Sequence, residues 1–527
     1  MNIIPKPMQA ELTSDKFYNL SSPVSISCAF DEVCCKAFLE RTGLEVAESR
    51  AANITIRKES EYSEEEYTLE VKDDGVTILT SSEKGGIHAL ATLFQIMTHD
   101  GNIPYCKIHD RPRFSHRGLS LDCARHFFPV EEIKKVIEQM TLTKMNVLHW
   151  HLTDDQGWRI ESKCYPKLHM QHKEKNEYYS QQDIRDIVAF AAERGMEIIP
   201  EIDMPGHVTA ILAAYPEYSC QGKEVSLAKY GGIYPIVFCA GSEKTYQLIE
   251  KLLEELCLLF PSSRFHLGGD EVPKKEWKKC ECCQAKIREM GLSNEIELQG
   301  YFTNRLIDIL KKHGKRAVLW NDSLEAANLN RDVDIQYWSV QYADDMTPYV
   351  KGGGKFIYSD MVRLYFNSYA AISLSLAYNG PIKILDTDYE NSDAVLGIEA
   401  CLWSEQVTTP ERLMERLFPR LYAIAEVTWS HVKNYEDFKA RLTEFLEKHH
   451  SLYMRPSKFW DPEGDIRREE MEYSVSTETI ITPPEVHRET MDNFKPNQYF
   501  IDAMTSTFSQ EEREFMAKLR EANTNSK

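Results

Sequence analysis

The spacing of hydrophobic positions changes character near residue 112 of this 527-residue chain. Before that point, short stretches of alternating apolar and polar residues predict β-strands around one helical stretch, Glu83 to Thr98. After it, strand-like runs alternate with amphipathic helical stretches. The pattern therefore predicts a small α+β domain over residues 1–112, followed by a larger α/β unit.

The larger unit contains eight predicted strands: Arg117–Cys123, Asn146–Thr153, Met196–Ile202, Arg264–Leu267, Arg316–Trp320, Asp334–Trp338, Lys355–Ser359 and Ala394–Glu399. Amphipathic helices separate most of them, as in Val130–Met145 and Glu295–His313. Eight parallel strands with intervening helices describe a (β/α)8 TIM barrel, which we expect over residues 113–440. A doubly wound sheet is the competing fold, but Leu121–His126 lacks the glycine-rich loop expected after its first strand.

The last part of the chain, residues 441–527, is predicted to be a helical extension. Tyr435–Met454 has helical spacing, and a charged segment ends in Gln510–Arg520. We expect this second helix to lie on the surface or across a homodimer.

The charge balance argues against two classes of partner. Asp and Glu total 82 against 62 Lys and Arg, a formal net charge of -20, so nucleic acid and anionic membranes would be repelled. No uninterrupted apolar run approaches the roughly 18 residues of a transmembrane helix. Thirteen cysteines without framework spacing favour a reducing compartment. We therefore expect a cytoplasmic location, or a secreted one if a leader has been trimmed.

One group of cysteines raises the question of a metal. Cys280, Cys282 and Cys283 include a C-x-x-C pair, but no second pair follows, and His266 and His313 lie in unrelated positions. Tetrahedral zinc requires four ligands. The pattern favours reduced, packed thiols, and we expect no metal and no cofactor.

The segment Gly268-Gly269-Asp270-Glu271-Val272 places two adjacent carboxylates where a predicted strand ends. Successive strand side chains point to opposite faces, and glycines allow another molecule to approach closely. Asp270 and Glu271 can therefore contact different atoms of one ligand. The alternative is a solvated Asp-Glu turn.

In a barrel, the residues that follow the strands share one rim. Carboxylates, histidines and tryptophans are frequent near the ends of the predicted strands, although any one of them alone is more often structural. Their number at one crowded rim would cost desolvation without a function. Indole rings stack on the C–H faces of sugars, so the mixture suits a pyranose. We expect an aromatic box of Trp320, Trp338 and Trp403, and a hydroxyl clamp of Arg117 and Glu405.

Five motifs in order resemble those of the glycoside hydrolase family 20 β-N-acetylhexosaminidases, over roughly residues 1–440. They are Pro112–Gly118 through Asp122–Phe127, His149–Asp155, Ile202–His207, His266–Glu271 and Glu399–Glu405. The family's small α+β domain before the barrel also matches the domain predicted above.

The resemblance implies a retaining, exo-acting hydrolase of terminal β-linked GlcNAc or GalNAc. In this family the acetamido oxygen of the substrate attacks the anomeric carbon and forms an oxazolinium intermediate, in contrast to glycosidases with a protein nucleophile. Glu271 would be the general acid and then the general base. Asp270 would accept the acetamide N–H, and Tyr365 would donate its hydroxyl to the acetamido oxygen.

The resemblance also assigns binding roles. The three tryptophans would hold the N-acetyl methyl group and the ring face, Arg117 and Glu405 would bind the C3 and C4 hydroxyls, and Asn367 would lie near the C4 and C6 hydroxyls. Asp154 and His207 would hold Glu271 in position. The expected partners are glycans ending in N-acetylhexosamine, or chito-oligosaccharides.

Two other functions are compatible with parts of the pattern. A barrel glycosidase with a protein nucleophile would act on sugars without an acetamido group. A sugar-binding protein without activity would keep the tryptophans but would have no need of Glu271.

Overall fold

A computed structural model describes residues 1–20, 22–47, 52–229, 231–367 and 372–449. The predicted C-terminal extension therefore lies outside the described residues from position 450 onward. Its first residues complete a helix that begins at Tyr435 and ends at Lys448.

The first part of the chain forms a six-stranded mixed sheet in the order β1-β6-β4-β5-β3-β2. Helix α2 begins after Ser82, whose hydroxyl accepts from the Gly85 N–H, and it is almost entirely buried. The elements are β1 (Gln9–Asn19), β2 (Ile26–Cys28), α1 (Glu32–Arg41), β3 (Ile54–Lys58), β4 (Tyr67–Lys72), β5 (Gly75–Thr80), α2 (Glu83–Ile96) and β6 (Asn102–Asp110).

The strands that follow are β7 (His116–Asp122), β8 (Val147–His151), β9 (Thr153–Asp154), β10 (Gly157–Trp158), β11 (Glu197–Glu201), β12 (Arg264–His266), β13 (Arg316–Trp320), β14 (Asp334–Tyr337), β15 (Lys355–Tyr358), β16 (Lys383–Ile384), β17 (Thr387–Asp388) and β18 (Val395–Leu402). Eight of them, all but the hairpins β9–β10 and β16–β17, form a closed barrel. Each barrel strand is parallel to its neighbours, and β18 closes the barrel by pairing with β7. The predicted TIM barrel is confirmed.

Helices surround the barrel: α3 (Val130–Leu142), α4 (Lys167–Met170), α5 (Gln181–Ala192), α6 (Thr209–Ala214), α7 (Glu243–Leu259), α8 (Lys275–Lys279), α9 (Glu281–Met290), α10 (Glu295–Lys312), α11 (Met346–Lys351), α12 (Met361–Leu364), α13 (Leu374–Asn379), α14 (Pro410–Leu417), α15 (Arg420–Trp429) and α16 (Tyr435–Lys448). Short 3-10 helices occur at Lys173–Lys175, Pro216–Tyr218, Asn321–Glu325 and Val340–Tyr342. Within the described ranges, no helix is both long and apolar enough to cross a bilayer.

The long helices follow from caps and apolar periodicity. In α10, the Asn294 side chain accepts from the first free backbone N–H groups, as an N-cap residue does. Leu298, Phe302, Leu306 and Leu310 recur on one face and are buried against the barrel core. This helix packs against the wall of the barrel. The loops that follow the strands therefore remain available to form a site.

Buried ion pairs join the N-terminal sheet to the barrel. Lys144 Nζ lies 2.8 Å from Asp110 Oδ2, and both side chains are fully buried. Arg117 Nη1 donates to Glu65 Oε2 at 3.1 Å. The indole of Trp429 lies against both cations and donates its N–H to Asp110 Oδ1 at 2.9 Å. Two cations of the barrel are thus neutralised by two carboxylates of the sheet.

Candidate active site

The loop that follows β12 carries the two adjacent carboxylates. Gly268 has a positive φ of 65°, and a Cβ there would lie only 1.8 Å from Asp203 Oδ1, so only glycine fits. The next amide, Gly269 N–H, donates to Asp203 Oδ1 at 2.9 Å. The Glu271 N–H donates to Asp322 Oδ2 at 3.1 Å. Carboxylates from two neighbouring loops therefore fix the backbone immediately before Asp270 and at Glu271.

Asp270 lies in a strongly acidic, buried environment. Burial raises its pKa to about 6; the His207 cation opposes this effect and the Glu271 charge adds to it. Burial, and then the charge of Asp270, raises the pKa of Asp203 well above its ordinary value. Asp270 Oδ1 is buried and has no hydrogen-bond partner among the described residues. An unpaired buried acceptor is costly, so this oxygen is available to accept from a donor on a ligand.

His207 stands between two groups of carboxylates. Its Nδ1 lies 3.2 Å from Asp155 Oδ2 and 3.4 Å from Asp154 Oδ1. Its Nε2 lies 3.6 Å from Glu271 Oε2 and 3.9 Å from Asp270 Oδ2. Burial would lower the pKa of His207, but the surrounding carboxylates, Asp154 first, raise it well above its ordinary value. An imidazolium at this position faces Asp270 and Glu271 on one side and Asp154 on the other. That His207 and Asp154 hold Glu271 in position stays a prediction.

Arg125 and Glu405 lie at the mouth of the barrel. Arg125 Nη2 forms an ion pair with Asp154 Oδ2 at 2.7 Å, and its Nε lies 4.0 Å from Glu405 Oε1. Its guanidinium covers the Trp403 ring at 5.1 Å from the centroid. Glu405 remains 33% exposed. The two side chains present a donor and an acceptor beside an aromatic face, which is the arrangement a sugar hydroxyl needs.

The prediction that Arg117 shares this clamp is wrong. Arg117 is fully buried, pairs with Glu65 and donates to the Phe114 carbonyl at 2.8 Å. It is the second residue of β7, and the carboxyl ends of barrel strands, not the amino ends, face the rim. Arg125, three residues beyond the end of β7, lies at the rim instead. The position of Arg125 just after a predicted strand was the feature of the sequence that indicated a place at the rim.

Four aromatic rings meet above the barrel. The Trp338 and Tyr365 rings are stacked with centroids 6.3 Å apart, Tyr365 lies 5.8 Å from Trp403, and Trp403 lies 6.0 Å from Trp320. The Trp338 indole N–H donates to Asp322 Oδ1 at 2.5 Å. Trp320 is almost completely buried, whereas Tyr365 and Trp403 are partly accessible. The structure thus brings together the predicted box and the tyrosine.

A buried histidine network lies beneath these rings. Glu201 Oε1 accepts from the Trp320 indole N–H at 2.8 Å and lies 3.2 Å from His266 Nδ1, while Oε2 lies 3.1 Å from His149 Nε2. His151 Nδ1 is 2.5 Å from the same Oε2. No role was predicted for Glu201 from the sequence. The network fixes the floor of the box through charge-assisted hydrogen bonds.

Asn367 follows the aromatic group along the chain. A backbone bridge between Tyr365 and Cys401 holds this segment beside β18. Asn367 Oδ1 is buried and has no partner among the described residues. The predicted contact of Asn367 with sugar hydroxyls stays a prediction, as do the individual roles of the other site residues.

A cavity of about 490 Å³ opens beside Glu271. Its walls include Asp322, Trp338 and Tyr342, and four lysines that follow Glu271: Lys274, Lys275, Lys278 and Lys279. A volume of this size accommodates a small ligand. Tyr342 and Asp322 are further site residues that received no role in the sequence analysis.

Comparison with known proteins identifies the family. The model of the glycosyl hydrolase family 20 catalytic domain matches residues 114–432, and the model of that family's domain 2 matches residues 1–111. A β-hexosaminidase of Porphyromonas gingivalis is 35% identical over 502 residues, which cover 84% of this chain and 62% of the relative.

Solved structures agree. A β-N-acetylhexosaminidase from Bacteroides fragilis has a TM-score of 0.79 and 28% identity, covering 86% of this chain and 96% of that one. An exo β-N-acetylglucosaminidase from Vibrio harveyi, solved with N-acetylglucosamine, has a TM-score of 0.77 and 29% identity, covering 87% of this chain and 79% of that one.

The fold, the rim and these matches define a glycoside hydrolase, and the chain belongs to glycosyl hydrolase family 20. The resemblance to the β-N-acetylhexosaminidases of that family is thereby confirmed.

Proposed function

We propose that the protein releases single, terminal β-linked GlcNAc or GalNAc residues with retention of configuration, and that the substrate's acetamido oxygen is the nucleophile. The observation that carries this proposal is Asp270 Oδ1, a buried acceptor without a protein donor, beside Glu271 and the aromatic box. An acetamide N–H is the donor that such a site lacks. The Vibrio harveyi relative, solved with N-acetylglucosamine, supports a ligand of this kind.

In the first step, Glu271 donates its proton to the glycosidic oxygen as the bond to the anomeric carbon breaks. The acetamido oxygen attacks that carbon from the opposite face and forms an oxazolinium ion. Asp270 accepts the N–H as positive charge develops there, and Tyr365 donates its hydroxyl to the attacking oxygen. Holding the nucleophile within the substrate avoids a bimolecular entropy cost, about 7 kcal/mol or more in favourable cases.

In the second step, ionised Glu271 takes a proton from water, and the oxygen of that water attacks the anomeric carbon. The bond to the acetamido oxygen breaks, and its electron pair restores the amide. Two displacements give overall retention. The leaving group would occupy the cavity of about 490 Å³ beside Glu271, which borders the aromatic box at Trp338.

The alternative with a protein nucleophile requires a second carboxylate opposite the acid. Asp270, the nearest candidate, is only 16% exposed and lies against His207 and Asp203. This environment suits an acceptor of a hydrogen bond better than an attacking group. A sugar-binding protein without activity would not need the bonds that fix Glu271.

A panel of aryl β-glycosides tests the mechanism. Turnover should be lost when the N-acetyl group is replaced by hydroxyl, and it should fall progressively as fluorine atoms are added to the acetyl methyl, because they weaken the nucleophile. A thiazoline mimic of the intermediate should inhibit tightly, and NMR should show a β-anomer as first product. Inversion, or a glycosyl group bonded to the protein, would contradict the proposal.

All thirteen cysteines lie in the described ranges, and none of them forms a disulfide bond there. This supports the further proposal that the enzyme works in a reducing compartment, with the cytoplasm as the simplest case. Cell fractionation followed by immunoblotting tests it, and recovery of the protein from the medium would contradict it.

A further inference from the structure

Four thiols meet outside the active site. Cys220 Sγ lies 3.8 Å from Cys283 Sγ, which is also 3.8 Å from Cys239 Sγ. Cys239 Sγ is in turn 3.8 Å from Cys280 Sγ. All four sulfur atoms lie within 4.8 Å of one another. The C-x-x-C pair therefore gains two partners that are distant in sequence and that spacing alone did not indicate.

These separations are too long for disulfide bonds, which join sulfur atoms at about 2.05 Å. They match a metal tetrahedron. The edge of a tetrahedron is about 1.6 times its centre-to-corner distance, so Zn–S bonds of about 2.3 Å place the sulfur atoms about 3.8 Å apart. Four sulfur ligands select zinc or iron among the common metals.

The backbone presents the four sulfurs together. An antiparallel bridge between Ser219 and Phe238 joins the two segments, and the Cys239 N–H donates to the Tyr218 carbonyl at 2.9 Å, so Cys220 and Cys239 flank the bridged pair on its two sides. Each cysteine directly follows a bridge residue, so the two side chains project from the same face of the paired segments. The two bridged segments thus supply two of the four cysteines of the cluster.

The other half is the start of α9. Cys280 is the N-cap residue of this ten-residue helix, and Cys283 lies in its first turn. The amino end of a helix favours negative charge, such as that of thiolates. Gly241 allows the two halves to meet, since a Cβ at that position would lie 2.4 Å from the Cys282 carbonyl oxygen. Cys239 and Cys283 are buried, and Cys220 and Cys280 are partly buried.

We propose that Cys220, Cys239, Cys280 and Cys283 bind a structural Zn²⁺ ion. With four protein ligands the ion has no open position, so it takes no part in hydrolysis. Its effect is mechanical: it ties the loop that follows α6 to the segment that follows Glu271.

Both segments reach the active site. Cys280 is separated from Glu271 only by a short turn and α8, and the Trp277 indole N–H in α8 donates to the Phe238 carbonyl at 2.8 Å. In the opposite segment, Ile233 lines the cavity beside Glu271. The zinc ion would therefore hold one wall of the leaving-group cavity against the other.

Metal analysis of the full chain tests this proposal. The protein is expressed without a histidine tag in medium with zinc and purified without chelators. Inductively coupled plasma mass spectrometry should find about one zinc per chain in the wild type and less than roughly a tenth in Cys220→Ser and Cys283→Ser. Cys282→Ser is the matched control: this exposed cysteine lies in the same helix but outside the cluster, and its loss should leave the zinc content unchanged.

A second measurement covers variants that do not fold. Wild-type protein grown with cobalt should show the visible bands of a tetrahedral cobalt tetrathiolate, and added zinc should bleach them. Removal of the metal should lower the melting temperature of the wild type. Folded wild type with less than roughly a tenth of a zinc ion per chain, iron in its place, disulfides among the four cysteines, or full zinc content in Cys283→Ser would each overturn the proposal.

Discussion

His207 and Glu271 both have positive φ angles, 53° and 51°, and His207 Nε2 lies 3.6 Å from Glu271 Oε2. Positive φ is uncommon for residues with a side chain, and at functional sites such conformations persist only where the surroundings impose them. Here Asp154 and Asp155 face the imidazole, and the Asp322 carboxylate accepts from the Glu271 N–H. The fold holds the acid and its cationic neighbour in a fixed relation before substrate arrives.

Replacing Glu271 with glutamine is expected to lower kcat by about 10²- to 10⁴-fold, because the amide keeps the shape but cannot transfer a proton. The loss should be larger for a methyl than for a 4-nitrophenyl glycoside of GlcNAc, since a good leaving group needs less protonation. Steady-state kinetics with both substrates measures this, and the melting temperature should stay near that of the wild type. Equal losses on the two glycosides would argue against the role as acid.

Replacing Asp270 with asparagine should lower kcat and, at neutral pH, raise the melting temperature. Since the folded-state pKa of Asp270 is about 6 and its ordinary value is 3.8, folding takes up a proton in this window. The contribution of Asp270 to the stability of the wild type therefore falls as pH rises from about 4 to about 6 and then levels off.

The asparagine variant does not bear the cost of ionising a buried carboxyl at position 270. Its advantage in melting temperature should therefore be greatest above pH 6 and should vanish toward pH 4. Thermal unfolding across this range measures the difference. Asp344→Asn is the control, because Asp344 is exposed and should show no such advantage. A constant difference at all pH values would contradict the argument.

Substitution by alanine should mainly lower activity at Arg125 and mainly lower stability at Arg117. Loss of Arg125 should lower kcat/KM about 10- to 100-fold, since a hydrogen bond from a charged donor contributes about 1.5–3 kcal/mol. Loss of Arg117 leaves Glu65 buried without its partner and should reduce the free energy of unfolding by about 3–5 kcal/mol. Kinetics and denaturant unfolding of both variants separate the two roles. An unchanged kcat/KM in Arg125→Ala would contradict its place in the clamp.

Tyr365→Phe removes one hydroxyl from the aromatic box. We expect kcat to fall by about 10²- to 10³-fold, the loss typical of a single donor to developing charge in a transition state. Tyr62→Phe is the control: this hydroxyl is bonded to Thr68 in the N-terminal domain, away from the barrel rim, so kcat should not change. Similar losses in both variants would show that Tyr365 has no special role.

Gly268→Ala tests the tight packing of the catalytic loop. The added Cβ would lie 1.8 Å from Asp203 Oδ1, so the loop or the aspartate has to move, and both stability and activity should fall. Gly291 has the same φ of 65° but nothing within 4 Å, so Gly291→Ala isolates the backbone cost, about 1–2 kcal/mol. If the two variants behave alike in unfolding and kinetics, the contact with Asp203 is unimportant.

The barrel was predictable because each strand and helix carries its own periodic signal. The predicted strand Arg117–Cys123 is observed at His116–Asp122, and Arg316–Trp320 is observed with the same bounds. Asp270 and Glu271 could be proposed as site residues because they lie in the loop just beyond a predicted strand. The prediction for Arg117 was wrong because this residue lies at the amino end of its strand, and the amino ends of the strands lie at the end of the barrel opposite the site.

Features that depend on distant segments could not be read from local pattern. Cys220 and Cys239 join Cys280 and Cys283 only through a loop that folds back over α9. Glu201 ends a strand that looks purely structural in the sequence, yet it contacts Trp320 and three histidines of the barrel interior. Such contacts are set by closure of the barrel, not by neighbours in the chain.

The ion pairs between Glu65 and Arg117 and between Asp110 and Lys144 make the sheet and the barrel dependent on each other. A barrel produced without residues 1–111 would expose a patch holding two uncompensated cations and the Trp429 ring. Attempts to shorten this enzyme to a minimal catalyst should therefore fail at the truncated amino end, unless Arg117 and Lys144 are first exchanged for neutral side chains.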